Sequence, residues 1–497
     1  MRAGFSVNRL VILVQTICCY RYDFKDDQNA TTLNLSRIGI TSLHGNIKNC
    51  RNLEELYLDG NDLEALPDEV GRLPKLKKLS VSDNDLRSLP STIGELRMLK
   101  ELDLSGNELT LIPGTIGRLI NLEVFDLSNN CRYVVVQDPS KPRKPDYFID
   151  EIGYRYPETY ECKVISLPWR ISRLRSLKEL NLSMNNLTSV PEEVCDCTRL
   201  EKLYLGENKI KIWPSKLHKL SNLKELHLES NQLKEFPATI GLPGNLRVLD
   251  LGYNGLSELP NSIADLHCLE ELNLKLNLFR TLPDLMETLR NLKILNLSHN
   301  RFALFPREIG KLEKLEQLDF SFNFLEFVSS EVEILENLKV LNLERNKLSV
   351  FPQPTLNCLN LGILILKGNK ISILPNLLGR LATLMELDLS DNFLTSLPED
   401  IGRFINLKYL LLSNNELESL PEELGKCVNL THLELSGNFL GSLPASFASL
   451  TNLQTLYLRD NSFASFPEIM ESLLHKLENF DYDFIDRVVA PNPVSRQ

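Results

Sequence analysis

One short stretch carries side chains whose types and spacing suit chemistry. In Glu225-Leu-His-Leu-Glu229 an imidazole, His227, stands two residues from a carboxylate on either side. Such a set can hold a divalent ion or exchange a proton. Spacing by two puts all three groups on one face of an extended strand. A single strand offers no second source of ligands, and a solvated charged strand face gives the same pattern, so the residues by themselves argue for the solvated face. The other signatures of catalysis fail: the chain has no GxxxxGK[ST] phosphate loop, no HExxH pair and no GxSxG elbow. Cys195 and Cys197 are two apart but lack a second pair at zinc-ligand spacing. Neither an enzyme nor a cofactor or metal centre is expected.

The element that must position His227 recurs through the chain. In Leu384–Asn406 the residues Leu384, Leu387, Leu389, Asn392, Leu394, Leu397, Pro398, Ile401 and Phe404 form one spaced pattern, which starts again at Leu407. The Pro position is held from Pro67 to Pro467 at steps of 23 residues, except for a 55-residue step from Pro113 to Pro168 and a doubled step across Ser329. Counting His44 at the front and Ser329 in the gap gives eighteen units. A fixed period with LxxLxLxxN in each unit marks a leucine-rich repeat solenoid. The fold class expected is α/β: a horseshoe of about eighteen 23-residue repeats, with parallel strands on the concave face and short helical or 3-10 segments on the convex face. The Asn after each strand is expected to pair backbone groups of its turn, and the Pro to start the return segment.

Residues 1–29 read as an N-terminal cap, 30–478 as the repeat domain and 479–497 as a tail, with a helix around Ile469–Leu477 closing the last repeat. The 55-residue step leaves a 32-residue loop insertion, residues 131–162, with five tyrosines and the basic cluster Lys141–Pro145. It is a candidate accessory contact. The apolar run Leu10–Ile17 is too short to cross a membrane, and no stable membrane insertion is expected. It reads as a cap, or alternatively as a signal-peptide core in a secreted protein. A formal charge of −11 excludes a nucleic-acid surface, which needs a basic stripe. Of ten cysteines, Cys50, Cys197, Cys358 and Cys427 stand where other units place core leucines, and are expected to be buried thiols. Cys131 and Cys162 flank the insertion and can pair in an oxidising compartment, although a reducing one is the expectation.

The variable strand positions are the expected binding surface. In the first half they form an acidic lane with tyrosines, including Tyr57, Asp103, Asp126, Tyr204, His227, Glu229 and Asp250. In the second half apolar groups enter outward positions: Ile363, Ile365, Tyr409, Leu411 and Tyr457, with Arg345, Lys367 and Arg459 beside them. Apolar anchors with a charged rim are the composition of a protein interface.

The LPxxIGxLxxL form over residues 30–467 resembles the intracellular leucine-rich repeat proteins of the Ras-binding class. These include the scaffold that joins a Ras-family GTPase to protein phosphatase 1, the plant Ras-group proteins, and the repeats of Scribble and Erbin. The resemblance implies a cytoplasmic, non-enzymatic scaffold with a Ras-family GTPase as partner, with or without the phosphatase catalytic subunit. Arg487-Val-Val-Ala490 lacks the aromatic residue of the phosphatase-docking motif, and the insertion is a second departure.

Overall fold

The computed structural model describes residues 30–131, 134–135, 147–149, 155–157, 160–161, 165–236 and 241–482. The chain divides into two compact units, Met1–Asp250 and Leu251–Gln497. The N-terminal cap and Leu10–Ile17, most of the insertion including Lys141–Pro145, and the tail from residue 483 lie outside the described residues.

The LxL core of each repeat makes a three-residue strand. In the first unit these are Thr32–Asn34, Glu55–Tyr57, Lys78–Ser80, Glu101–Asp103, Val124–Asp126, Glu179–Asn181, Lys202–Tyr204, Glu225–His227 and Val248–Asp250. They pair in parallel, each residue opposite the one 23 positions on, as in Leu56↔Leu79. Across the insertion the register holds through Phe125↔Leu180. The second unit repeats the scheme from Glu271–Asn273 to Asn479–Asp481. In the repeat strands up to Thr455–Tyr457 the middle residue is buried, while its two neighbours remain partly accessible in nearly all of them. The period-two pattern therefore separates one core position from two variable ones.

The return half is 3-10 rather than α-helical. Asp68–Arg72 and Ser91–Glu95 are typical, with Val70 and Ile93 buried. In most repeats the Pro caps the segment, its carbonyl accepting from the third residue on, as in Val70 N to Pro67 O at 3.1 Å; His44 and Ser329 take its place at Gly45–Asn49 and Ser330–Ile334. Gly71, Gly94 and Gly402 stand where a Cβ would run into the backbone carbonyl of the next turn. The Ile-Gly pair is thus a close approach between neighbouring turns.

The asparagines link the repeats. Asn84 donates from Nδ2 to its own Val81 O at 3.3 Å and to Leu58 O of the preceding repeat at 3.0 Å. Its Oδ1 accepts from Leu63 N at 3.1 Å, also in the preceding repeat. The first repeat, which lacks this Asn, has its turn closed by Asn61, which accepts from Ile38 N and Ile40 N.

Cys50, Cys195, Cys197, Cys358 and Cys427 are buried free thiols. Cys197, Cys358 and Cys427 donate to carbonyls one repeat back at 3.3–3.4 Å. Cys131 is disulfide-bonded. Cys162, which the sequence offered as its counterpart across the insertion, lies outside the described residues. Within the insertion, Val134–Val135 pairs with Tyr160–Glu161 and Tyr147–Ile149 with Arg155–Pro157, both antiparallel.

The C-terminal end departs from the sequence reading. The helix is four residues, Met470–Leu473, and buries Met470 and Leu473 while Leu474 is exposed. Asn479–Asp481 then adds a parallel strand, Leu456↔Phe480. The sheet thus runs past residue 478 into the segment assigned to the tail. The step there is 24 rather than 23 residues, and Phe480 replaces Leu, so the period did not reveal it. Phe463, Phe466, Phe480 and Tyr482 form an aromatic cluster over this end. Among the described residues no helix is long and apolar enough to cross a membrane.

Candidate interaction surface

The variable residues of the strands stand in rows, because the parallel register sets equivalent positions side by side. In the first unit one row runs Tyr57, Ser80, Asp103, Asp126 and on through Asn181, Tyr204, His227, Asp250. The expected acidic lane is present, but its carboxylates are engaged. Asp103 Oδ1 accepts from Ser105 N and Oγ at 2.9 and 2.7 Å. Burial raises its pKa against those two bonds, with Asp126 and Asp59 adding to the rise. Asp126 accepts from Ser128 N and Oγ and, through Oδ2, from Asn181 Nδ2 at 3.1 Å. Glu101 pairs with Lys78 at 2.7 Å, and Glu225 with Lys202 at 3.1 Å. Tyr57 donates to Glu55 at 3.2 Å, and the Lys78 ammonium lies over its ring.

The lane changes character at its far end. Tyr204 stacks on His227 with ring centroids 4.8 Å apart and donates to Glu225 at 3.3 Å. His227 lies 3.9 Å from Glu225 through Nε2 and 4.0 Å from Glu229 through Nδ1. Asp250, on the next strand, supplies the second ligand source that the sequence of one strand did not show. One ligand atom each from His227, Glu229 and Asp250 falls within 4.8 Å of the others. Burial pushes the Glu229 carboxyl up to about 7 against a hydrogen bond from its own backbone, with Asp250 and Glu207 adding to the rise.

In the second unit Ile363 and Ile365 flank the buried Leu364 and are themselves half-buried. Their neighbours in register are Val340 and Asn342 on one side, Glu386 and Asp388 on the other. Tyr409 and Leu411 follow on the next strand, and Tyr457 two strands on. Tyr409 is 39% exposed and stacks on His432 at 4.6 Å. The apolar patch is thus divided by an acidic strand, in which burial and then Asp388 raise the Glu386 pKa. The basic residues named from the sequence line its edge in ion pairs: Lys367 with Asp391 at 3.9 Å, Arg459 with Asp481 at 3.1 Å. Arg345 lies 3.6 Å from Glu344 and over the Phe322 ring.

Sequence reading missed a second surface in this unit. Leu304, Phe327, Val350 and Ile373 occupy one repeat position in consecutive repeats and are 63%, 51%, 61% and 74% exposed. Beside them a cleft of about 760 Å³ is lined by Arg280, Arg301, Leu304, Phe305, Arg307 and Phe324. The available signal was the residue two before the Pro position, which is Ser at 88, 166, 396, 419, 442 and 465.

The leucine rich repeat model matches residues 51–109, 175–302 and 382–463 through overlapping hits, more than half of the chain. The chain belongs to the leucine-rich repeat family. Among solved structures it is similar to the leucine-rich repeat protein LIC12759 of Leptospira interrogans, with 30% identity and a TM-score of 0.62 over 93% of this chain and 97% of that one. It is also similar to the ectodomain of the Arabidopsis thaliana receptor kinase GASSHO1/SCHENGEN3, at 27% identity and TM-score 0.55 over 92% of this chain and 62% of that one. The Arabidopsis receptor kinase HAESA, solved with the peptide hormone IDA and the co-receptor SERK1, matches at 26% identity and TM-score 0.55 over 90% and 77%. No curated protein matches. Leucine-rich repeat proteins generally mediate protein–protein interaction, and nothing in the family match is catalytic.

Proposed function

We propose that this leucine-rich repeat protein is a non-enzymatic scaffold that binds protein partners on its strand face. The observation that carries the reading is the pair Ile363 and Ile365, apolar and half-exposed at positions where polar residues prevail, with Tyr409 and Leu411 two strands on, across the Glu386–Asp388 strand. The buried leucines of the same strands already supply the core, so these side chains are not required for folding. Exposed apolar groups with a charged rim are what partner surfaces carry. The resemblance in LPxxIGxLxxL extends the proposal to a cytoplasmic role with a Ras-family GTPase as partner, and with the protein phosphatase 1 catalytic subunit as a further one.

The test is a pull-down with purified protein against GTP-loaded and GDP-loaded Ras-family GTPases, with and without the phosphatase subunit. Binding selective for the GTP state, lost in the double variant Ile365→Asp, Leu411→Asp at unchanged Tm, supports the proposal. Absence of binding in both states removes the GTPase reading, and GTP-selective binding that survives the double variant removes the patch.

A second reading, a secreted or cell-surface recognition protein, is favoured by the disulfide at Cys131 and by the likeness to a receptor ectodomain. Intact mass after alkylation of the denatured, unreduced protein from its native source separates the two. Ten alkylated cysteines support the cytoplasmic scaffold, and two fewer support the secreted reading.

A further inference from the structure

His227 and Asp250 are register partners on adjacent strands, and Glu229 lies two residues beyond His227. Glu229 sits where Ser82, Ser105, Ser128 and Ser183 stand in other repeats. Its longer side chain reaches back over Gly206, where a Cβ would collide with Oε1. The glycine therefore makes the space that the carboxylate fills. The other oxygen, Oε2, is shut off from solvent and has no hydrogen-bond partner. It faces His227 Nδ1 at 4.0 Å, and Asp250 and Glu207 are the charges that act on it. Two carboxylates held together, one with an unsatisfied buried oxygen, are an unfavourable arrangement for the protein alone. A cation among the three donors offsets the repulsion and gives Oε2 a partner.

We propose that His227, Glu229 and Asp250 form a binding site for a divalent transition-metal ion of the zinc type. The imidazole directs the choice, because calcium and magnesium are held by oxygen alone in dedicated sites, whereas zinc takes nitrogen and carboxylate oxygen together. Three protein donors leave one tetrahedral position open on the strand face, for water or for a donor from a docked protein. The competing arrangement is a protonated His227 shared between Glu225 and Glu229, at 3.9 and 4.0 Å. The site is argued independently of which partner binds the scaffold.

The experiment is calorimetric titration of the full chain with Zn²⁺ alone at neutral pH. It uses a Cys268→Ser background, because that thiol is exposed and could take the ion by itself. One ion per chain is expected, with affinity reduced at least about tenfold in His227→Ala and in Asp250→Asn. Gly206→Ala leaves every donor in place but displaces the Glu229 carboxylate, and should weaken binding comparably. Thermal melting of the metal-free variants separates lost donors from lost folding. As a readout on the unmutated donors, Co²⁺ should give a visible band that Zn²⁺ abolishes and Ca²⁺ does not. Absence of that band, or Zn²⁺ affinity unchanged in folded His227→Ala and Asp250→Asn chains, overturns the site.

Discussion

Asn185 joins the strands on either side of the insertion, and its removal tests the asparagine ladder where it spans the longest chain separation. It is fully buried. Its Nδ2 donates to Leu127 O at 2.8 Å and Leu182 O at 3.0 Å, and its Oδ1 accepts from Asn130 N at 3.2 Å. Asn185→Ala leaves three buried backbone groups short of a partner, at about 1–3 kcal/mol each. Relaxation and entering water reduce the sum, so a loss of about 3–5 kcal/mol is expected, at the upper end for single substitutions. Asn222 is the control. It is exposed and makes one bond, Nδ2 to Thr198 O at 2.8 Å, so its replacement should cost about 1 kcal/mol or less. Urea unfolding followed by circular dichroism gives the two values, and hydrogen exchange at the Asn130 amide locates the damage. Asn185→Asp keeps the shape but cannot donate, and should cost at least as much as Ala. The reasoning fails if Asn185→Ala costs no more than the Asn222 control, or if Asp restores wild-type stability.

Leu364→Ala should destabilise by about 2–5 kcal/mol, because it empties a fully buried position. Ile365→Ala, one residue on and half-exposed, should stay within about 1 kcal/mol; equal costs would mean that Ile365 belongs to the core rather than to a surface. Burial pushes the thiols of Cys195, Cys197 and Cys358 up to about 12 and that of Cys427 to about 11. Of the free cysteines among the described residues, only exposed Cys268 should therefore react with a thiol reagent in the native chain at pH 8. Peptide mapping that finds rapid modification of any of the five buried thiols would contradict this packing.

The sequence shows the repeat so clearly because each core position recurs in it at a fixed offset. Leu56, Leu79 and Leu102 are separated by 23 residues and stand side by side in the sheet. What periodicity does not show is the contact between variable positions of adjacent repeats. Glu225, His227 and Glu229 were visible as one strand's charges, but Asp250 joins them only through the parallel register. The acidity of Asp103 and Asp126 was equally visible, yet the serine hydroxyls that occupy their carboxylates are a matter of local geometry. The last strand was hidden for a different reason. Its step is 24 residues, and Phe480 stands where most other strands carry Leu.

The ladder also has a direction. Asn84 serves the carbonyl of Leu58, Asn107 that of Val81, and Asn277 that of Leu251. In every case the donor comes 26 residues later in the chain than the acceptor it satisfies. A repeat is therefore completed by its successor. During synthesis from the N-terminus, the newest repeat always presents unmet carbonyls at the growing edge, and the next asparagine to arrive closes them. Assembly by addition at one end is written into the bond pattern, and at the last described strand the aromatic side chains of Phe463, Phe466, Phe480 and Tyr482 gather instead.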